Sequence, residues 1–121
     1  MQRLLERGVR FTAVAAANDL MAIGAMEALR TAGRRVPEDV AVVGFDDITF
    51  ASLVTPALTT VAQPKYRMGQ MAMERLLQLM DGTDRSPRQT ILAPQLVIRD
   101  SCGARTAGDV APSSAGMASR T

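Results

Sequence analysis

Three side chains stand where short apolar runs end. Asn18 follows the run 12–17, Asp46 comes just after 40–44, and Gln63 follows 58–62. An amide, a carboxylate and a second amide suit a small polyhydroxylated or polar ligand. The carboxylate accepts hydroxyl hydrogens in charge-assisted bonds worth roughly 1.5–3 kcal/mol each, and the amides offer both donors and acceptors, which sets orientation. Each residue also has a purely structural use. Asn18 is a good turn and cap residue, Asp46 or Asp47 could cap a short loop helix, and Gln63 before Pro64 could sit in an exposed linker. The Asp46-Asp47 pair could also hold Mg²⁺ with the loop after a third strand. That reading asks for a further carboxylate upstream and a lysine at a later strand end, whereas Lys65 lies beyond Pro64 at the start of a helix. No catalytic residue, metal or cofactor is therefore expected.

Composition narrows the chemistry further. The chain has 121 residues, 47% hydrophobic and 21% charged, which fits one soluble globular domain or part of one. It contains no histidine and one cysteine, Cys102. Those two facts exclude, within this chain, a Ser-His-Asp or Cys-His nucleophile, a His/Cys zinc site and a disulfide framework. Net charge is +2, and thirteen of the fourteen basic residues are arginine. Their only cluster is Arg34-Arg35 in a turn, not the basic stripe with interleaved aromatics that marks a nucleic-acid surface. The opening 1–17 has arginines and an alanine tract, as a signal peptide would, but Glu6 and Arg10 interrupt it. The uncharged stretch between Asp47 and Lys65 is broken by Pro56 and Pro64, so it makes no membrane span. A lone cysteine fits a reducing compartment, and the expected location is cytoplasmic.

The elements that must position the three polar groups follow from periodicity. Leu4 to Arg7, closed by Gly8, reads as the last turn of a helix. A buried strand over 12–17 leads through Asn18-Asp19 into an apolar helix ending at Gly33. Between Leu20 and Leu29 that helix carries only Glu27 as a charge, so it is sandwiched or forms a subunit interface. Gly24 within it reads as a close-packing residue. A turn at 36–39 precedes a second buried strand, 40–44, and a third is expected over 58–62. Gly69, Ala72, Met73, Leu76, Leu77 and Met80 repeat at helical spacing and define a helix over 65–81, stopped by Gly82. Two short strands, 90–92 and 96–98, flank Pro94. Beyond Cys102 the sequence is small and polar without periodicity, and a disordered tail is expected. Strand–helix–strand with two apolar strands predicts a crossover and a parallel sheet, in a doubly wound α/β arrangement. Ligands of such sheets bind beyond the carboxyl ends of the strands, where the three polar groups lie.

The succession Ala17-Asn18-Asp19-Leu20-Met21-Ala22-Ile23-Gly24-Ala25-Met26, Gly33, Val36-Pro37-Glu38-Asp39-Val40, Val43-Gly44-Phe45-Asp46-Asp47 and Pro56-Ala57-Leu58-Thr59-Thr60-Val61 closely resembles the LacI/GalR family of bacterial transcriptional regulators. Gln63-Pro64, Gly69 and Leu96-Val97-Ile98-Arg99-Asp100-Ser101 continue the pattern in order, so the likeness runs over 4–101. It implies a parallel-sheet α/β fold like the type I periplasmic binding proteins, two lobes with a ligand cleft between them. By that likeness, residues 1–101 form part of an effector-binding domain, with 1–63 and 95–101 in the C-terminal lobe and 64–94 crossing to the N-terminal lobe; 102–121 form the tail. The resemblance places Asn18 and Asp46 against a small effector, a sugar or related metabolite, with Gln63 nearby. Lys65 stands where relatives often carry an aromatic or other effector-lining residue. Leu20, Ile23, Met26, Phe50, Leu53 and Val54 fall on the family's dimerisation surface, implying a homodimer in the intact protein. Effector binding would control operator binding by a helix-turn-helix headpiece that these residues do not include, and the chain reads as the C-terminal portion of such a regulator. The alternative is a solute-binding protein of a transport system, which shares the fold.

Overall fold

The computed structural model describes residues 1–83, 85–87 and 89–104. A short helix α1 (Gln2–Glu6) opens the chain and ends as expected, with Gly8 at φ 65° and Val9 N–H reaching back to the Leu4 carbonyl. Strand β1 (Ala13–Ala15) leads to helix α2 (Asp19–Thr31). Asn18 caps that helix: its Oδ1 accepts the Met21 N–H at 2.8 Å. Gly33, at φ 71°, stands just past its end.

Strand β2 (Ala41–Val43) lies parallel to β1, with Ala13, Val14 and Ala15 opposite Ala41, Val42 and Val43. This is the crossover that the two apolar runs predict. A single 3-10 turn at Thr49–Ser52 then precedes β3 (Thr60–Ala62). Val43 and Thr59 form a parallel bridge, and the amides of Gly44 and Asp46 donate to the carbonyls of Thr59 and Val61, each at 2.9 Å. Helix α3 (Lys65–Met80) follows, and strand β4 (Gln95–Val97) pairs antiparallel with β3. The strands thus form two pairs, parallel β1-β2 and antiparallel β3-β4, joined by the Val43–Thr59 bridge, at which β2 and β3 run parallel.

Ser101 closes the gap where β2 and β3 diverge. It is fully buried; its Oγ donates to the Val42 carbonyl at 2.7 Å and accepts the Thr59 N–H at 2.8 Å, while its own carbonyl accepts the Val42 N–H. One hydroxyl therefore satisfies two buried backbone groups that no neighbouring strand reaches. The core joins the inward face of α2 (Ala22, Met26, Leu29) to Val40, Val42, Ala51 and Leu58.

Four expectations are revised. Residues 90–92 form no strand, because among the described residues they have no ladder partner; only Gln95–Val97 pairs. Gly24 is not a close-packing residue here: it is exposed, and nothing lies within 4 Å of where its Cβ would be. Met26 belongs to the core rather than to a dimer surface, since it lies on the face of α2 turned toward β2. Order also runs past Cys102, through the turn that Ser101 anchors; the rest of the expected tail, 105–121, lies outside the described residues.

Candidate functional site

The carboxyl ends of β1, β2 and β3 carry Asn18, Asp46 and Gln63 to one rim of the sheet. Parallel pairing puts the ends of β1 and β2 together, and the Asp19 N–H donates to the Phe45 carbonyl at 2.8 Å, which draws the start of α2 against the segment leaving β2. Asn18 therefore stands beside the Phe45-Asp46 turn. Gln63 Nε2 donates to Asp46 Oδ1 at 2.6 Å, so two of the three groups are in direct contact. Asn18 serves the structural use expected of it, its oxygen committed to capping α2 at this rim.

Asp46 and Asp47 have φ of 110° and 50°, both in the region that favours glycine. Their carboxylates diverge. Asp47 Oδ1 accepts Arg99 NH2 at 2.7 Å, in a pair with side chains only 17% and 28% exposed. Arg99 NH1 also holds the Leu58 carbonyl at 2.8 Å, and Lys65 Nζ reaches the Asp47 carbonyl at 3.5 Å. Divergent aspartates do not make a metal cage, and among the described residues no three His, Cys, Asp or Glu side chains are grouped to hold an ion.

Beneath this rim lies a group that the sequence pattern placed only in the turn leading into α2. Asp19 is fully buried; its Oδ1 accepts the Thr60 hydroxyl at 2.5 Å and its Oδ2 accepts the Ile48 N–H at 2.8 Å. Gly44 is required by the same contact, because a Cβ there would lie 2.2 Å from Asp19 Oδ1 and 3.2 Å from Asp19 Cα. A signal for this existed. Asp19 shares the helical face of Ala22, Met26 and Leu29, all buried, and a carboxylate on an apolar face must have buried partners.

The residues expected at a dimer surface divide by exposure. Leu20, Phe50 and Leu53 are 67%, 62% and 68% exposed, and Ile23 and Val54 line an adjoining hollow of about 660 Å³ between α2 and the 54–56 segment. That hollow has no part in the rim of Asn18, Asp46 and Gln63. Among the described residues no helix is long and apolar enough to cross a membrane.

Comparison with known proteins agrees with this architecture. The family described as periplasmic binding protein-like domain matches residues 2–102, and the chain belongs to that family. Its relatives are transcriptional regulators of the LacI type rather than enzymes. It is 48% identical over 101 residues to the HTH-type transcriptional regulator AscG of Escherichia coli (strain K12), covering 84% of this chain and 30% of AscG. Among solved structures, the regulator CelR in complex with cellobiose superposes with a TM-score of 0.78 at 44% identity, over 83% of this chain and 31% of CelR. The lac repressor dimer bound to operator and the anti-inducer ONPF superposes with a TM-score of 0.77 at 40% identity, over 84% of this chain and 35% of the repressor chain. The chain thus spans about a third of the length of these relatives.

Proposed function

We propose that these residues are the part of a LacI-type regulator's effector-binding domain that carries one wall of a sugar site. The observation that carries this reading is the contact of Gln63 with Asp46 on a rim shared with Asn18. Asp46 is the anionic acceptor for ligand hydroxyls, Gln63 orients it, and Asn18 offers its amide NH₂ while its oxygen holds the helix. The relatives support a sugar as the effector class, CelR having been solved with cellobiose. The protein acts as a homodimer through Leu20, Ile23, Phe50, Leu53 and Val54. It works in the cytoplasm, with operator DNA read by a helix-turn-helix headpiece outside these 121 residues. Preferential binding of the sugar to one lobe arrangement shifts the dimer between DNA-competent and DNA-incompetent states.

The test is a hybrid in which residues 2–102 replace the matching segment of AscG. The hybrid should bind AscG's operator and respond to at least one member of a panel of mono- and disaccharides that includes cellobiose. Asp46→Ala should raise the sugar concentration for half-response at least tenfold, equivalent to about 1.4 kcal/mol. A hybrid that binds operator but ignores every sugar, or an Asp46→Ala response curve superimposable on the parent's, overturns the assignment.

A further inference from the structure

We infer that Asp19 and Thr60 form a buried clamp that positions Asp46 for ligand; this inference rests on the function proposed above. Asp46 holds a φ of 110°, a backbone region where a side chain other than hydrogen is strained. Such a conformation persists only where its surroundings over-determine it, and it concentrates at ligand clamps and switches. Here the surroundings are identifiable on both sides of the strained residue. Ahead of it, the Phe45 carbonyl is tied to the Asp19 N–H at 2.8 Å. After it, the Asp47 N–H reaches Thr60 Oγ1 at 3.4 Å and the Ile48 N–H donates to Asp19 Oδ2 at 2.8 Å. The clamp itself is the Thr60 hydroxyl donating to Asp19 Oδ1 at 2.5 Å, with both residues fully buried. The segment 45–48 is thereby held by the Asp19 backbone N–H at Phe45, the Thr60 hydroxyl at Asp47 and the Asp19 carboxylate at Ile48, with the Asp46 N–H on the Val61 carbonyl, while the Asp46 side chain is left to meet Gln63 and a ligand.

The arrangement has a second consequence. Asp19 is the first residue of α2, so the ligand-facing turn and the helix that carries Leu20 and Ile23 share one buried group. A carboxylate there loses both acceptor bonds at once if it is removed, which makes Asp19 a positioning residue rather than a group that touches ligand.

Because Asp19→Ala threatens folding as a whole, the decisive variant is Thr60→Val, which keeps the β-branched shape and removes the hydroxyl. Hydrogen exchange of the 121-residue chain, read by mass spectrometry, should show the amides of 46–48 exchanging at least tenfold faster in Thr60→Val. Thr60→Ser should return them to within threefold of the parent. The control Leu29→Val lowers core stability without touching the clamp, and should leave 46–48 unchanged. In the AscG hybrid, with cellobiose and the same sugar panel as probes, Thr60→Val should raise the half-response concentration at least tenfold, Thr60→Ser less than threefold, and Leu29→Val less than threefold. Unchanged exchange at 46–48 in Thr60→Val overturns the clamp, as does a Leu29→Val effect of equal size. Faster exchange with an unaltered sugar response overturns the positioning role and leaves the sugar site standing. A parent hybrid deaf to all sugars removes the proposed function and this inference with it.

Discussion

Gly44 and Asp39 show how single residues set local tolerances. Gly44 follows β2 and lies against the start of α2, and the two backbones approach too closely for a Cβ, which would meet Asp19 Cα at 3.2 Å as well as the Asp19 carboxylate. Neither backbone can yield, since the Asp19 N–H and the Phe45 carbonyl are bonded across the junction. Gly44→Ala should therefore lower unfolding free energy by about 2 kcal/mol, the scale of overpacking, in urea titrations followed by circular dichroism. At the turn before β2, Asp39 accepts the Arg35 guanidinium through both oxygens and the Arg35 backbone N–H at 2.8 Å. These bonds hold its carboxyl down to about 2 from an ordinary 3.8. A folded-state value below the unfolded one means that the pair contributes stability above the unfolded value and loses it as pH falls through the folded one. The melting-temperature difference between the parent and Asp39→Asn should be constant above about pH 4 and vanish toward pH 2. A difference that persists at pH 2 would locate the effect elsewhere.

The two long helices carry similar apolar periodicity and meet different fates. In α2 the stripe Ala22, Met26 and Leu29 packs on Val40 and Val42, so its amphipathic pattern is used within the chain. In α3 no residue is buried, and Met73, Leu76, Leu77 and Met80 remain exposed along one side. Periodicity identifies a face that seeks a partner, but it does not say whether the partner lies in the same 121 residues. The contrast is measurable. Leu29→Ala should cost about 3 kcal/mol, as for a buried leucine that leaves a cavity, whereas Leu77→Ala should change the stability of this chain by less than about 0.5 kcal/mol. Equal losses in thermal or urea unfolding would mean that α3 packs on its own chain. The strands follow the same logic at lower resolution. Runs 12–17, 40–44 and 58–62 were legible as strands, yet each pairs over only three residues, and Ser101 rather than a ladder joins β2 to β3 at Val42 and Thr59.

For the molecule as a whole, exposed apolar surface governs association. Leu20, Phe50 and Leu53 are each more than three-fifths exposed, and the hollow lined by Ile23 and Val54 also carries the charged Glu27, Arg30, Arg34, Arg35 and Glu38. Apolar surface of this kind on a small domain marks an interface. In sedimentation equilibrium the 121-residue chain should associate, and Phe50→Glu combined with Leu53→Glu should weaken that association at least tenfold. A profile unchanged by the double substitution would move the contact to another face, with the stripe of α3 as the next to test.

Residue types and spacing alone were enough for the parallel β1-α2-β2 unit, the position of α3, and the gathering of Asn18, Asp46 and Gln63 on one edge. Each of these depends on local pattern and on the alternation of strand and helix, which a linear reading retains. The antiparallel return of β4, the buried Asp19–Thr60 pair, the Ser101 bridge and the Arg99–Asp47 ion pair emerged only once the chain was folded. They join residues roughly thirty to sixty positions apart, and a hydroxyl or carboxylate far along the chain gives no sign of its partner until packing closes the distance.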